Sequence, residues 1–93
     1  MNKDFEKYRD TAEFLKVLAH PVRLCIVKGL YESGSCNVSH MQSCLEIPQS
    51  TISQHLQKLK AAGMVSSKRN GLEVTYSISD DRIGTVLDAI FNS

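Results

Sequence analysis

The sequence predicts a mainly α-helical fold with one small β-hairpin, and three observations indicate it. Apolar residues recur at helical spacing in five segments between residues 4 and 91. The stretch from residue 64 to residue 78 instead alternates apolar and polar side chains, as paired strands do. The dipeptide Asn70-Gly71, which favours a tight hairpin turn, lies inside that stretch.

Length and composition indicate a single folded domain, residues 1–93. A content of 42% hydrophobic and 23% charged residues is typical of a globular protein. A chain of this length buries only roughly 60–65% of the surface that its unfolded form exposes, so pairing with a second copy would stabilise it. No apolar run is long enough to cross a membrane, and the charged opening MNKDFEKYRD is unlike a signal peptide, which predicts a cytoplasmic location.

The first two helices are predicted over residues 4–18 and from Pro21 to Ser33. Pro21 suits a first helical turn, where no N–H is needed, and Gly34 follows the end of the second helix. The first helix is predicted to be amphipathic, with Phe5, Tyr8, Ala12, Leu15 and Leu18 at helical spacing. The expected inner stripe of the second helix is Val22, Cys25, Ile26, Gly29 and Leu30.

A short third helix and a longer fourth helix are predicted next. Ser39-x-x-Gln42 has the pattern of a capping box, so the third helix is expected to begin at Ser39. Its expected inward residues are Met41, Cys44 and Leu45. A tight connection over residues 46–48 leads to the fourth helix, residues 49–62, which Gly63 should end.

The hairpin, which we call the wing, is predicted over residues 64–78, and a fifth helix over residues 80–91. One face of the wing should carry Leu72, Val74, Tyr76 and Ile78. The apolar stripe of the fifth helix is Ile83, Val86, Leu87, Ile90 and Phe91. This order of elements is that of a winged helix-turn-helix, in which the fourth helix is held where it can enter a DNA major groove.

The fourth helix is predicted to bury one side and to present a polar, basic side to solvent. At about 100° per residue, Ile52 and Leu56 share the buried side. Ser50 and Gln54 lie opposite, and His55 lies nearer the buried edge. Hydroxyl and amide side chains bond phosphates and base edges, and lysine adds charge. The predicted DNA-binding residues are Gln49, Ser50, Thr51, Ser53, Gln54, His55, Gln57 and Lys58 of the helix, and Lys68, Arg69, Asn70 and Gly71 of the wing.

The distribution of charge supports a phosphate-binding face. Residues 47–72 hold four basic and no acidic residues, whereas the rest of the chain holds seven basic and ten acidic ones. A basic stretch in a protein of net charge +1 is the electrostatic pattern expected of a nucleic-acid-binding face. Double-stranded DNA is therefore the predicted partner.

The three cysteines have no CxxC spacing, and no cofactor or metal centre is predicted. Cys36, in the loop GSGSCN, is the candidate for a reactive thiolate because reactivity requires access, and Cys44 could resolve it. Cys25 falls on the inner stripe of the second helix. The i, i+4, i+8 spacing of Cys36, His40 and Cys44 also suits a soft metal ion. Thiol-responsive, metal-responsive and non-sensing regulation therefore stay open as alternatives.

Three segments together resemble the ArsR–SmtB type of bacterial winged-helix transcriptional repressor. They read LKVLAHPVRLCIVKGL, PQSTISQHLQKLKAAGMV and KRNGLEVTYSI, and the resemblance spans nearly the whole chain. It implies a homodimer that binds an inverted-repeat operator and leaves it when an inducer arrives. By motif position, Ser50, Ser53 and Gln54 match contacts of the family's recognition helix, and 68–71 match its wing.

The resemblance also implies that the first and last helices form the dimer interface. An apolar stripe that a small monomer can hardly bury alone agrees with this. The residues predicted at the interface are Phe5, Tyr8, Ile83, Val86, Leu87, Ile90 and Phe91.

The sequence departs from the family at its sensing sites. Asn37 and Ser39 stand where one familiar metal site has a Cys-x-Cys pair. Asp80 and Asp81 are present near the start of the last helix, but the histidines of a second familiar site are not. The inducer is therefore unknown from the sequence.

Two other classes of function are disfavoured. The chain has no Gly-rich phosphate loop, nucleophile elbow or paired-carboxylate arrangement, and only Cys36 with His40 offers a nucleophilic pair, so an enzyme is not predicted. A winged helix that binds protein should present an apolar or acidic fourth helix, which Ser50, Gln54 and Lys58 oppose.

Overall fold

The fold is seen in a computed structural model that describes residues 3–92, so the predicted domain of residues 1–93 reaches beyond the described part at both ends. Five helices and three short strands confirm the winged helix-turn-helix. They are α1 (Lys3–Leu18), α2 (Pro21–Ser33), β1 (Cys36–Asn37), α3 (Val38–Leu45), α4 (Gln49–Ala61), β2 (Val65–Asn70), β3 (Glu73–Ile78) and α5 (Arg82–Phe91).

The wing is part of a three-stranded antiparallel sheet, not of an isolated hairpin. The strand order is β1-β3-β2, and Cys36 and Asn37 of β1 lie opposite Tyr76 and Thr75 of β3. The sequence missed β1 because two residues are too few to show an alternating period. The added strand attaches the wing to the segment that leads into α3.

The hairpin turn lies one residue later than predicted. Asn70 pairs with Glu73, so Gly71 and Leu72 form the two-residue loop. Gly71 has a positive φ of 69°, the conformation that a two-residue hairpin with glycine at its first position requires. Leu72 consequently stands out from the turn, fully exposed, and not on the inner face of the wing.

Helix α3 begins one residue before the predicted start, because a different side chain caps it. The Oδ1 atom of Asn37 accepts a hydrogen bond from the His40 amide at 2.8 Å, and Ser39 lies within the helix. Asparagine is among the strongest N-cap residues, so it displaces the predicted capping box of Ser39 and Gln42.

The core confirms some inward stripes and corrects others. Its buried hydrophobic members are Phe14, Leu18, Ile26, Val27, Leu30, Met41, Ile52, Leu56, Leu59, Met64, Val65, Tyr76, Ile83 and Leu87. In α1, Leu18 and Phe14 are buried while Tyr8 is 70% exposed, so the helix packs on the core partly through Phe14, which lies outside the apolar spacing predicted from the sequence. Cys25 and Cys44, expected inside, are exposed.

Helix α5 begins at Arg82, after the predicted start, because Asp80 precedes the helix and binds its first residue. The Asp80 carboxylate accepts from the Arg82 amide at 3.0 Å and from its guanidinium at 2.7 Å. The guanidinium also lies 4.1 Å from the centre of the Phe14 ring. Arg82 thus links the start of α5 to α1 through a cation–π contact.

Two helical glycines should respond differently to replacement by alanine. A Cβ at Gly29 would meet nothing within 4 Å, whereas a Cβ at Gly84 would come 2.8 Å from the Tyr31 ring. Gly29→Ala should stabilise the fold by about 0.5–1 kcal/mol, because alanine loses less backbone entropy on folding. Gly84→Ala should gain less or destabilise, because the ring must move and its 2.9 Å bond from Tyr31 Oη to Asp88 is disturbed. Urea unfolding measures the stability of both variants, and an equal increase in the free energy of unfolding of the two would contradict this prediction.

Candidate nucleic-acid interface

One side of helix α4 packs in the hydrophobic core, and the opposite side faces solvent. Ile52, Leu56 and Leu59 are each 0% exposed, which confirms the predicted buried side. Among the predicted contact residues, Gln49, Ser50, Gln54, Gln57 and Lys58 are exposed, while Thr51, Ser53 and His55 are half-buried. The outward face of α4 therefore carries hydroxyl, amide and ammonium groups.

The first turn of α4 faces outward without a capping side chain. Pro48 precedes the helix, and its carbonyl accepts from the amides of Thr51 and Ile52 at 3.0 and 3.2 Å. Within the described residues, no side chain is bonded as a cap here. The positive end of the helix dipole and exposed Ser50 thus point towards solvent together, an arrangement that suits a phosphate oxygen.

The connection between α3 and α4 sets the position of α4. Glu46 ends α3 in the left-handed conformation, with φ 55°, and its amide donates to the Gln42 carbonyl at 2.9 Å. Leu45 and Ile47, on either side of Glu46, pack partly buried against the core. This tight turn between two anchored residues holds α4 at a defined angle to α3.

The wing carries the second group of predicted contacts, and side-chain hydrogen bonds from α4 and from β1 help to hold it. Lys68, Arg69, Asn70 and Gly71 are all exposed. The Lys60 ammonium of α4 donates to the Ser67 hydroxyl of β2 at 2.7 Å. The Asn37 amide donates to the Glu73 carboxylate of β3 at 3.3 Å. The structure therefore brings the basic wing residues to the same part of the molecule as α4.

His55 faces the body and not the outward side of α4. Its ring centre lies 4.4 Å from that of His20, whose Nδ1 atom accepts from the Val22 amide at the start of α2. Burial, followed by the charges of His20, Arg23 and Lys58, lowers the pKa of His55. His55 Nδ1 and Arg23 Nε are both buried without a hydrogen-bond partner. Sequence reasoning missed His20 and Arg23, although HPVR stands at a helix start.

The cysteines are placed differently from the prediction. Cys36 lies half-buried in β1, not in an exposed loop, and burial, followed by the charge of Cys44, raises the pKa of its thiol. That opposes the expected role of Cys36 as a reactive thiolate. Cys44 and Cys25 are exposed. In the part of the chain that the structure describes, no three His, Cys, Asp or Glu side chains are grouped so as to hold a metal ion.

The predicted interface residues of α1 and α5 divide into two groups. Phe5, Tyr8, Ile90 and Phe91 are exposed, and Val86 is half-buried. Ile83 and Leu87 are 0% and 1% exposed because they fill the chain's own core. These two residues therefore offer a second copy almost no surface. No helix within residues 3–92 is long and apolar enough to cross a membrane.

Comparison with known proteins agrees with this geometry. A family model described as bacterial regulatory protein, arsR family, matches residues 20–67. This chain belongs to the ArsR family. The transcriptional repressor PagR of Bacillus anthracis is 39% identical over 90% of this chain and 84% of PagR. The repressor SmtB of Mycobacterium tuberculosis is 47% identical over 84% of this chain, which spans 58% of that SmtB.

Solved structures of ArsR-like regulators have the same fold. The crystal structure of PagR covers 92% of this chain and 98% of its own, with a TM-score of 0.83 and 38% identity. NolR from Sinorhizobium fredii covers 99% and 91%, with a TM-score of 0.88 and 32% identity. An ArsR protein is a DNA-binding transcriptional regulator and not an enzyme, and the names of these relatives support a repressor.

Acidification should destabilise the fold through His55. Because its pKa is lowered in the folded state, the unfolded chain binds the proton first. The stability from neutral His55 is present above its ordinary pKa of 6.5 and is lost as the pH falls towards the folded value. Urea unfolding at pH about 7.5 and about 5.5 measures the loss, and His55→Gln should reduce it. If His55→Gln loses as much stability on acidification as the unsubstituted protein does, this assignment is contradicted.

Proposed function

We propose that this ArsR protein is a homodimeric repressor that binds an inverted-repeat operator in double-stranded DNA. The observation that carries the proposal is the two-sided character of α4. Its apolar side is fixed in the core, and its polar side lies free beside a basic wing. As a regulator that acts on DNA, it is proposed to work in the cytoplasm.

The dimensions and chemistry of α4 suit the major groove. Its 13 residues make a helix about 20 Å long, and the groove is about 12 Å wide. Gln54 can pair through two bonds with adenine, and Ser50 can bond a phosphate or a base edge. Lys58 adds charge without sequence information. Lys68 and Arg69 then reach the backbone or the adjacent minor groove, where arginine is favoured.

Pairing of two copies through α1 and α5 fits the exposed apolar side chains on both helices. Tyr8 is 70% and Ile90 59% exposed, and such residues are costly to leave in water on a small domain. An open groove of about 310 Å³ between the two helices is lined by Phe14, Leu15 and Val86 among others. A two-fold dimer would place two α4 helices on half-sites one helical turn apart, or multiples of it.

Regulation by a thiol is the favoured sensing mode in this proposal. Metal sensing has little support, since the described residues hold no group of three ligands. A repressor without an inducer is the remaining alternative. A winged helix that binds protein is a poorer fit, because the outward side of α4 is polar and basic and not apolar or acidic.

Gln54→Ala should relax operator preference at one base pair. If Gln54 reads a base, its loss costs about 1–3 kcal/mol against the preferred base and little against the others. Binding to operators varied one base pair at a time measures this. Gln42→Ala, which removes an exposed amide on α3, is the matched control and should leave every base preference unchanged. An unchanged preference in Gln54→Ala removes Gln54 from base reading.

Lys68→Ala should weaken binding to all DNA sequences alike. A lysine that neutralises one phosphate releases about one counterion, so the slope of log affinity against log salt should fall by about 1. Titrations of operator and unrelated duplex over a range of salt concentrations measure the slope. Lys7→Ala on α1 removes the same charge and should leave the slope unchanged. A sequence-selective loss in Lys68→Ala would mean that Lys68 reads a base.

A further inference from the structure

All three cysteines line one cleft, although they come from three different elements. The cleft lies between α2, β1 and α3 and has a volume of about 180 Å³. Cys25 comes from α2, Cys36 from β1 and Cys44 from α3. The apolar side chains that line the cleft include Ile26, Leu30, Met41 and Leu45. The sequence placed Cys25 and Cys44 in the core, so this gathering of thiols is a product of the tertiary structure.

The volume and lining suit a small apolar organic molecule. A cavity of about 150 Å³ lined by aliphatic and aromatic side chains stays dry and binds benzene. This cleft is of similar size, and buried Ile26, Leu30 and Met41 contribute to its wall. Gly29 adds no side chain to it, and a Cβ there would meet nothing within 4 Å. A ring of six or so atoms therefore has room beside the thiols.

Cys44 has the position of a nucleophile. Its Sγ atom lies 3.7 Å from Nε2 of His40, one helical turn earlier, and the side chain is exposed. With the imidazole protonated on Nδ1, Nε2 can accept the thiol proton. The His40 backbone is itself held by the Asn37 cap at 2.8 Å. A thiol paired with an imidazole is a common arrangement for an activated cysteine.

The other two thiols are less suited to attack. The Cys36 thiol donates to the Asn37 carbonyl at 3.4 Å and is half-buried. Burial raises the pKa of Cys36, so it stays protonated at neutral pH. For Cys25, no hydrogen bond to its thiol is seen among the described residues. Cys44 is therefore the group that reacts first.

We propose that this cleft binds a small α,β-unsaturated carbonyl compound and that Cys44 adds to it covalently. His40 Nε2 takes the proton from Cys44 Sγ, and the sulfur forms a bond to the β-carbon. The C=C pair moves towards the carbonyl to give an enolate, and the proton returns from His40 to the α-carbon. The addition needs no oxidant or reductant, and every atom of the electrophile is kept.

The consequence for DNA binding rests on the proposed function. Helix α3 forms one wall of the cleft and packs against α4 on its other side. Its cap, Asn37, also bonds Glu73 of the wing. An adduct on Cys44 therefore bears on the two elements that carry the DNA contacts. We expect the modified repressor to bind its operator at least about tenfold more weakly, which is a typical allosteric coupling.

The test treats the reduced full chain with cyclohex-2-enone and follows its intact mass. One molecule should add, at a rate that saturates with enone concentration, because binding in the cleft precedes bond formation. Cyclohexanone, which fits but cannot react, should slow the addition. Cys44→Ser should lose the saturable reaction, while Cys25→Ser and Cys36→Ser keep it. This readout involves no DNA, so failure of the proposed function leaves it intact.

Two further variants distinguish the contribution of binding in the cleft from that of thiol activation by His40. Gly29→Leu fills the cleft and leaves all three cysteines in the chain, and it should abolish saturation while the protein stays folded by circular dichroism. His40→Gln should slow the addition about tenfold at neutral pH, because Nε2 of the imidazole no longer takes the thiol proton. The proposal is overturned by a rate linear in enone, by equal labelling of Cys25 and Cys44, or by a Cys36–Cys44 disulfide in place of the adduct.

Discussion

The seating of Ile52, Leu56 and Leu59 in the core is the contact on which the remaining structure depends. These three side chains have no exposed surface, and together they set the rotation of α4 about its axis. Since successive residues differ by about 100°, a rotation by one position would bury Gln57 or Lys58 and would expose an apolar side chain. Burying an amide or a charge without partners is costly, so only one setting of the helix is stable. That setting presents Ser50, Gln54 and Lys58 to solvent.

Asn37 joins three parts of the molecule that the sequence separates. Its backbone belongs to β1. Its side-chain oxygen Oδ1 caps α3, and its side-chain nitrogen Nδ2 donates to Glu73 at the start of β3. The thiol cleft and the wing are consequently attached to the same residue. A change in the packing of α3 would displace both α4 and β3, which gives a physical route from the cleft to the polar side of α4.

Prediction from the sequence succeeded where local period decides the outcome. The buried side of α4 and most of the ends of the helices follow from apolar spacing, glycine and proline. The prediction failed where the local sequence allows two conformations or two packing faces. Helix α1 has apolar residues on more than one face, and the neighbouring elements selected Phe14 over Tyr8. Asn37 and Ser39 both can cap a helix, and the pairing of β1 with β3 favoured Asn37.

The sequence by itself determined the order of the elements, the polar face of α4 and the basic character of the segment from residue 47 to residue 72. Only the tertiary structure decided that Cys25, Cys36 and Cys44 share one cleft, that His20 and Arg23 lie behind α4, and that Ile83 and Leu87 are core residues. The physical reason is the range of the interactions. Helical period and turn chemistry act over a few residues, whereas the packing of α2, β1, α3 and α5 depends on contacts between residues far apart in the chain.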